Sequence, residues 1–221
     1  MAINKITKLL FVIALILPAV NGMNIEQGIK EFDDYVAAQP NYGEEVPNAG
    51  YAPLNELRVI NELTPSHTAV IFGGSGPDIG REFGIGDDKH YTVNIYSDEK
   101  PDLLADMNNS EHLRGIESGR FKLVIAGNIP LCCFKGTFFP NAWRLLEVGG
   151  FLIINTLHPY EIADARVGAI NSCMALFGFV PDLSQIPEQF PRLNKIGFGE
   201  DQVGTIESPA VSIFRKVPLG L

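Results

Sequence analysis

The segment Thr68-Ala-Val-Ile-Phe-Gly-Gly-Ser-Gly-Pro-Asp-Ile-Gly80 constrains the fold more than any other part of the chain. A run of apolar and β-branched residues enters a glycine cluster and then a stretch able to start a helix. That succession reads as a buried strand, a tight turn and a helix N-terminus. Glycine lets the backbone turn sharply and lets a ligand approach the main chain. The first helical turn offers unpaired N–H groups and the positive end of a dipole. The segment therefore predicts a central strand of a doubly wound α/β sheet. At its end stands either a site for a nucleotide-like ligand or a purely structural turn.

The rest of the pattern supports that architecture. Ile25, Ile29, Phe32 and Val36 recur at helical spacing and predict a helix over 24–38. Pro40, Gly43, Pro47 and Gly50 mark a loop. Leu54, Leu57, Ile60 and Leu63 predict a second helix over 53–63. Strands are expected at 68–73, 91–96, 103–106, 122–127, 151–156 and 209–216. Helices are expected at 78–84, 110–117, 138–147 and 161–176, and an irregular stretch at 182–208. Strands alternating with helices mean a mostly parallel sheet covered on both faces.

The amino terminus reads differently. Lys5 and Lys8 precede an apolar run, Leu9 to Val20, of signal-peptide length. Residues 1–22 are read as a signal peptide cleaved after Gly22, residues 23–50 as a helix and loop, and 51–221 as one α/β domain. The protein is thus expected to be secreted or otherwise exported, with no membrane contact after cleavage. Net charge is −9 at pH 7, and losing two lysines makes it −11. That charge argues against nucleic acid as a partner. Cys132, Cys133 and Cys173 show no metal spacing. They are either small core hydrophobes or supply one disulfide from Cys173 to the adjacent pair. His67, His90 and His112 show no ligand spacing either.

In order and spacing the motifs resemble those of class I S-adenosylmethionine-dependent methyltransferases, over roughly residues 50–217. Gly74-Ser-Gly-Pro77 resembles the family's first glycine motif. Lys100-Pro-Asp-Leu-Leu-Ala-Asp106 resembles its third strand and acidic turn, and Arg120-Phe-Lys-Leu-Val-Ile125 its fourth strand. Arg144-Leu-Leu-Glu-Val-Gly-Gly-Phe-Leu-Ile-Ile154 resembles the turn into its fifth strand. Gly178-Phe179 and Ala210-Val-Ser-Ile-Phe-Arg-Lys216 resemble its ending. The resemblance implies a Rossmann-like sheet of seven strands with the seventh antiparallel. It also implies S-adenosylmethionine as cofactor, over the carboxyl ends of the first three family strands. Gly74, Ser75 and Gly76 would pass its methionine part, Asn94 would meet the ribose, and Asp106 and Met107 the adenine. Asn128 and His158, after the fourth and fifth family strands, are the candidate catalytic residues: one to orient an acceptor, the other to take its proton.

Two positions depart from the family pattern. Phe72 stands where an acidic residue usually precedes the glycine motif, and Asn94 stands where a carboxylate usually accepts from the ribose hydroxyls. A neutral amide forgoes charge-assisted bonds, which weakens binding by about 1–3 kcal/mol. Asn94→Asp is therefore expected to tighten it, and Asp78 or Asp98 are the carboxylates placed to compensate. Two other readings stand beside the enzyme. One is a methyltransferase-fold binding module without catalysis. The other is a short-chain dehydrogenase binding a nicotinamide cofactor, whose Tyr-x-x-x-Lys pair has one match, Tyr96 to Lys100. If the leader is cleaved as read, the intact mass of protein recovered outside the cytoplasm corresponds to a chain beginning at Met23. A mass retaining Lys5 and Lys8 would indicate an uncleaved anchor.

Overall fold

A computed structural model of the chain describes residues 25–38, 57–74, 79–81, 83–127, 129, 133–155, 178–181 and 211–217. Helix α1 spans Ile25–Ala38 and helix α2 Phe138–Leu145. The strands are β1 (Arg58–Val59), β2 (Ala69–Phe72), β3 (His90–Asn94), β4 (Leu103–Leu104), β5 (Phe121–Gly127), β6 (Leu146–Asn155), β7 (Phe179–Pro181) and β8 (Val211–Lys216). They form one sheet in the order β1-β4-β3-β2-β5-β6-β8-β7. From β4 to β6 every pairing is parallel, and β8 runs antiparallel between β6 and β7. Without β1 this is the expected seven-stranded, doubly wound sheet with its last strand antiparallel. The eighth strand, β1, is a two-residue antiparallel edge on β4.

β2 lies at the centre because its sequence suits no other place. All four of its residues are buried. Val70 and Phe72 face one apolar layer, and Ala69 and Ile71 face the other. A continuous apolar strand with both faces covered is the signature of a buried parallel sheet. The first layer receives Phe32 of α1, Phe138, Phe139, Ala142 and Leu145 of α2, and Leu113 and Ile116 of the segment between β4 and β5. The second receives Ile79, Phe83 and Ile85, which follow the glycine turn. α1 sits close enough to Gly136 that a Cβ there would lie 2.7 Å from the Ile29 Cα. Asp33 Oδ1 accepts the Gly136 N–H at 2.7 Å. Of the face expected for α1, Ile29, Phe32 and Val36 pack against the core, whereas Ile25 is exposed.

Two expected helices are absent where the structure describes them. Residues 57–63 are extended, with Leu57, Val59 and Ile60 exposed. The three-residue spacing of leucines imitated a helix, but Asp102 holds the backbone as an edge. Its carbonyl accepts from the N–H groups of Ile60 and Asn61. Its carboxylate accepts from Asn61 Nδ2 at 2.7 Å, Thr92 N at 2.7 Å and Thr92 Oγ1 at 2.8 Å. Residues 53–56 lie outside the described residues. The expected helix at 110–117 is a chain of turns, with hydrogen bonds such as His112 N to Asn109 O and Ile116 N to Leu113 O spanning three residues. Arg144 explains it. Its guanidinium donates to the carbonyls of Ile116 and Leu113 at 2.6 and 2.8 Å, and Asn141 Nδ2 donates to the Met107 carbonyl at 2.9 Å. These bonds from α2 fasten the carbonyls of the turns to a distant element.

Other boundaries shift. β6 begins at Leu146, directly after α2, because four residues of β6, 147–150, oppose the single residue Lys122 of β5 between the Phe121–Leu146 and Leu123–Phe151 pairs. Gly149, at φ +86°, allows that bulge. Lys216 Nζ ends α2 by donating to the carbonyls of Trp143 and Leu146 at 2.8 and 2.6 Å, and lies 3.7 Å from the centre of the Trp143 indole. β7 is three residues long and follows Gly178, at φ +73°. The expected helix at 161–176 and the irregular stretch at 182–208 lie outside the described residues.

The entry to β2 is sensitive to acid. His67 Nδ1 accepts the N–H of Thr64 at 2.9 Å, which only an unprotonated Nδ1 can do. Burial pushes the imidazole below its ordinary 6.5, and Arg120 and His90 add to that push against Asp102 and Asp88. Between that lowered value and 6.5 the unfolded chain binds more protons than the folded one. Stability at this site therefore falls as pH drops below about 6.5. Urea unfolding between pH 5 and pH 7.5 is expected to show that loss, with a shallower pH dependence in His67→Asn. An unchanged slope in the variant would remove His67 from the account.

Candidate functional site

The strand order reverses between β2 and β5: from β2 the chain moves to β3 and β4 on one side, then crosses to β5 on the other. The two crossovers leave a crevice at the carboxyl ends of these strands, where open α/β sheets bind ligands. Four described candidates lie at those ends. Gly74 follows β2, Asn94 closes β3, and Asp106 and Met107 follow β4. The structure thus gathers residues spread from Gly74 to Met107 at one end of the sheet. Ser75, Gly76, Asp78, Asn128 and His158 lie outside the described residues. Asp98 is exposed in a 3-10 turn, Ser97–Glu99, beyond Tyr96.

The glycines at the turn are required by the fold itself. Gly73 and Gly74 adopt φ +75° and +52°, the left-handed region that disfavours side chains. A Cβ on Gly73 would meet Ile129 Cγ1 at 2.4 Å, and one on Gly74 would meet Ile79 Cδ1 at 2.3 Å. Gly127, at the end of β5, would likewise meet Ile79 Cδ1 at 2.5 Å. Isoleucine side chains therefore fill the directions that the missing Cβ atoms open. For Gly74 the structural reason is complete without a ligand, and its part in a ligand site is confined to its remaining backbone surface.

Asn94 has a role that its sequence position concealed. It is buried, its Nδ2 donates to the Gly74 carbonyl at 3.0 Å, and its Oδ1 accepts the Tyr96 N–H at 3.1 Å. The partners settle the amide's orientation, because a carbonyl can only accept and a backbone N–H can only donate. Asn94 therefore ties the glycine turn after β2 to the backbone leaving β3. A carboxylate here would set an acceptor against the Gly74 carbonyl. The expectation that Asn94→Asp tightens a ligand site is corrected accordingly. The asparagine is the residue that this turn needs, and the substitution loses a buried bond.

Asp106 and Met107 are also bound into the structure. Asp106 Oδ1 accepts the Asn108 N–H at 2.8 Å, and the Asp106 N–H donates to His112 Nδ1 at 3.2 Å. Asp106 thus caps a turn. Met107 is buried in the first apolar layer. Asn108, which the sequence reading did not single out, donates from Nδ2 to the Cys133 carbonyl at 2.9 Å and accepts the Lys135 N–H on Oδ1 at 3.0 Å. The only signal was local: Asp106-Met-Asn-Asn109 has the composition of an Asx turn. Its long-range partners had no sequence signature.

Tyr96, at the crevice rim, has its phenol ionisation pushed up by burial and by Cys133. Cys133 packs against the first apolar layer and is not in a disulfide. Cys132 and Cys173 lie outside the described residues. Tyr96 and Lys100 flank the 3-10 turn after β3, with Lys100 at φ 48°. They do not share the helix that a Tyr-x-x-x-Lys pair requires. No group of His, Cys, Asp and Glu among the described residues could hold a metal ion, and no described helix is long and apolar enough to cross a membrane.

As a test of fit for S-adenosylmethionine, the described crevice offers neutral groups where the family offers carboxylates. Asn94 Oδ1 retains a second lone pair and Nδ2 a second proton for ribose hydroxyls. Asp106 supplies the one charged group after β4 among the described candidates. Among the described residues the fit is one of position at the strand ends, with reduced charge. Asn94→Asp is expected to lower unfolding stability by about 1–3 kcal/mol, read by urea denaturation at pH 7. An unchanged midpoint would show that the Gly74 bond contributes nothing.

No protein-family model matches the chain, and no curated protein matches it significantly in sequence. Solved structures similar to it include the aminoglycoside resistance methyltransferase NpmB1, at 13% identity and TM-score 0.41, covering 71% of this chain and 95% of that one. A SAM-dependent methyltransferase from Archaeoglobus fulgidus is 12% identical with TM-score 0.42, covering 68% and 86%. Geranyl diphosphate C-methyltransferase from Streptomyces coelicolor A3(2), solved with Mg2+, geranyl diphosphate and S-adenosyl-L-homocysteine, is 13% identical with TM-score 0.42, covering 72% and 77%. The assignment of the fold rests on the strand order described above.

Proposed function

We propose that the protein is an exported S-adenosylmethionine-dependent methyltransferase. The observation that carries this reading is the reversal of strand order at β2 and β5, with Gly74, Asn94, Asp106 and Met107 brought to the ends of three adjacent parallel strands. Export is supported by Lys5, Lys8 and the apolar run from Leu9 to Val20.

When bound, S-adenosylmethionine supplies an electrophilic methyl group on a sulfonium. The protein's share of such a reaction is alignment and exclusion of water. In this reading Asn94 meets the ribose with the lone pair and proton that its two structural bonds leave over. The Asp106 carboxylate and the Met107 side chain border the adenine, and the backbone at Gly74 to Gly76 borders the methionine part. Asn128 orients the acceptor and His158 takes its proton. The acceptor is a molecule other than nucleic acid, consistent with the net charge of −9.

A second reading is favoured by specific observations. Asn94 spends two of its bonding positions on the protein, and Ile79 and Ile129 occupy the space beside the glycines. A binding module that keeps the fold without turnover needs no more than this. Cofactor binding separates the two. Ligand at one hundred times its dissociation constant stabilises a folded protein by about 2.7 kcal/mol. A thermal melt with millimolar S-adenosylmethionine is expected to shift upward, and one with NAD or NADP to stay in place. No shift with S-adenosylmethionine, in folded protein, would favour the module. A saturable shift with a nicotinamide cofactor would revive the dehydrogenase.

A further inference from the structure

Asn108 joins two chain segments that the sheet keeps apart. Its own N–H closes the turn on Asp106 Oδ1, while its side-chain amide reaches Cys133 and Lys135 on the segment leaving β5. One amide thus satisfies an acceptor 25 residues away and a donor 27 residues away. The partners again settle its orientation, because a carbonyl can only accept and a backbone N–H can only donate. In the sheet, β3 and β2 stand between β4 and β5. At about 4.8 Å per strand, the connected walls belong to strands roughly 14 Å apart. The two strands between them carry Asn94 and precede Gly74. The bridge therefore runs beside the crevice and links the turn of Asp106 and Met107 to the segment after β5.

We propose that Asn108 is a positioning residue that couples the two walls of the crevice, so that Asp106–Asn109 and Cys133–Lys135 adopt one arrangement together. In the methyltransferase reading, on which this use of the coupling rests, the first wall meets the cofactor and the second belongs to the segment after β5 that also carries Asn128, which orients the acceptor. Cofactor held at Asp106 would then fix the acceptor side through Asn108. The Lys135 N–H is the reporter, because its residue is exposed and Asn108 Oδ1 is its recorded partner. When the turn opens, that N–H exchanges with solvent.

The test is amide hydrogen exchange of the full chain, resolved at Lys135, in wild type, Asp106→Ala, Asn108→Ala and the double variant. Asp106→Ala removes the acceptor that closes the turn and touches neither Cys133 nor Lys135. It is expected to speed exchange at Lys135 by about 2–10-fold, the worth of one net hydrogen bond. Asn108→Ala is expected to speed it at least as much, and the double variant to match Asn108→Ala alone. Exchange at Ile125, inside β5, is the control for folding. If Asn108→Ala does not fold, Asp106→Ala alone carries the test. Unchanged exchange at Lys135 in Asp106→Ala, or fully multiplied effects in the double variant, would overturn the coupling. Adding S-adenosylmethionine gives a separate arm. Slower exchange at Lys135 in wild type but not in Asn108→Ala supports the coupling, and binding without that protection overturns it. Absence of binding counts against the methyltransferase, and the ligand-free comparison still decides the coupling.

Discussion

Everything in this molecule is arranged around the burial of β2 on both faces. Four consecutive apolar residues cannot be placed at an edge or on a half-exposed surface without leaving one side in water. Covering both sides requires two layers, and parallel neighbours on either flank require crossovers long enough to reach across the sheet. The layers follow: α1, α2 and the turns of 107–116 on one face, and Ile79, Phe83 and Ile85 on the other. Truncating Ile71 to alanine in such a position costs about 2–5 kcal/mol, a large share of the stability of an ordinary domain. The crevice is a by-product of the same constraint, because β2 is where the strand order turns.

Polar side chains then hold the ends of the strands. Asp102 fastens β1, β3 and the start of β4, Asn94 fastens the glycine turn to β3, and Arg144 and Asn141 fasten the connection from β4 to β5. Each gives groups of a distant segment a hydrogen-bond partner. This explains the departure of position 94 from a carboxylate. The side chain here donates to the Gly74 carbonyl and accepts from the Tyr96 N–H, which an ionised carboxylate cannot do, and an amide cannot carry the charge that a ribose-binding carboxylate carries. Among the described candidates at this end of the sheet, Asn94 offers neutral hydrogen bonds and Asp106 the one charge.

Pattern alone made the fold class legible. The alternation of apolar segments located β2, β3, β4, β5, β6 and β8, with β6 starting five residues early, because burial on two faces writes itself into composition. α1 and α2 were legible from periodicity for the same reason. The helices expected at 53–63 and 110–117 failed because three-residue spacing of leucine and isoleucine also suits an edge or a chain of turns. The choice was made by Asp102 and Arg144, which bond to those backbones from far along the chain.

The candidate site divides in the same way. Sequence by itself placed Gly74 and Met107 just after expected strands and Asn94 and Asp106 toward the ends of them, since strand ends are set by local composition. Only the tertiary structure decided what each does there: Gly74 makes room for Ile79, Asn94 ties two strand ends, and Asp106 caps a turn. It alone revealed Asn108, whose partners lie 25 and 27 residues away. The physical reason is range. Burial acts on every residue of a segment and leaves a periodic trace, whereas a hydrogen bond between distant residues depends on two atoms meeting within about 3 Å, and no spacing along the chain records that meeting.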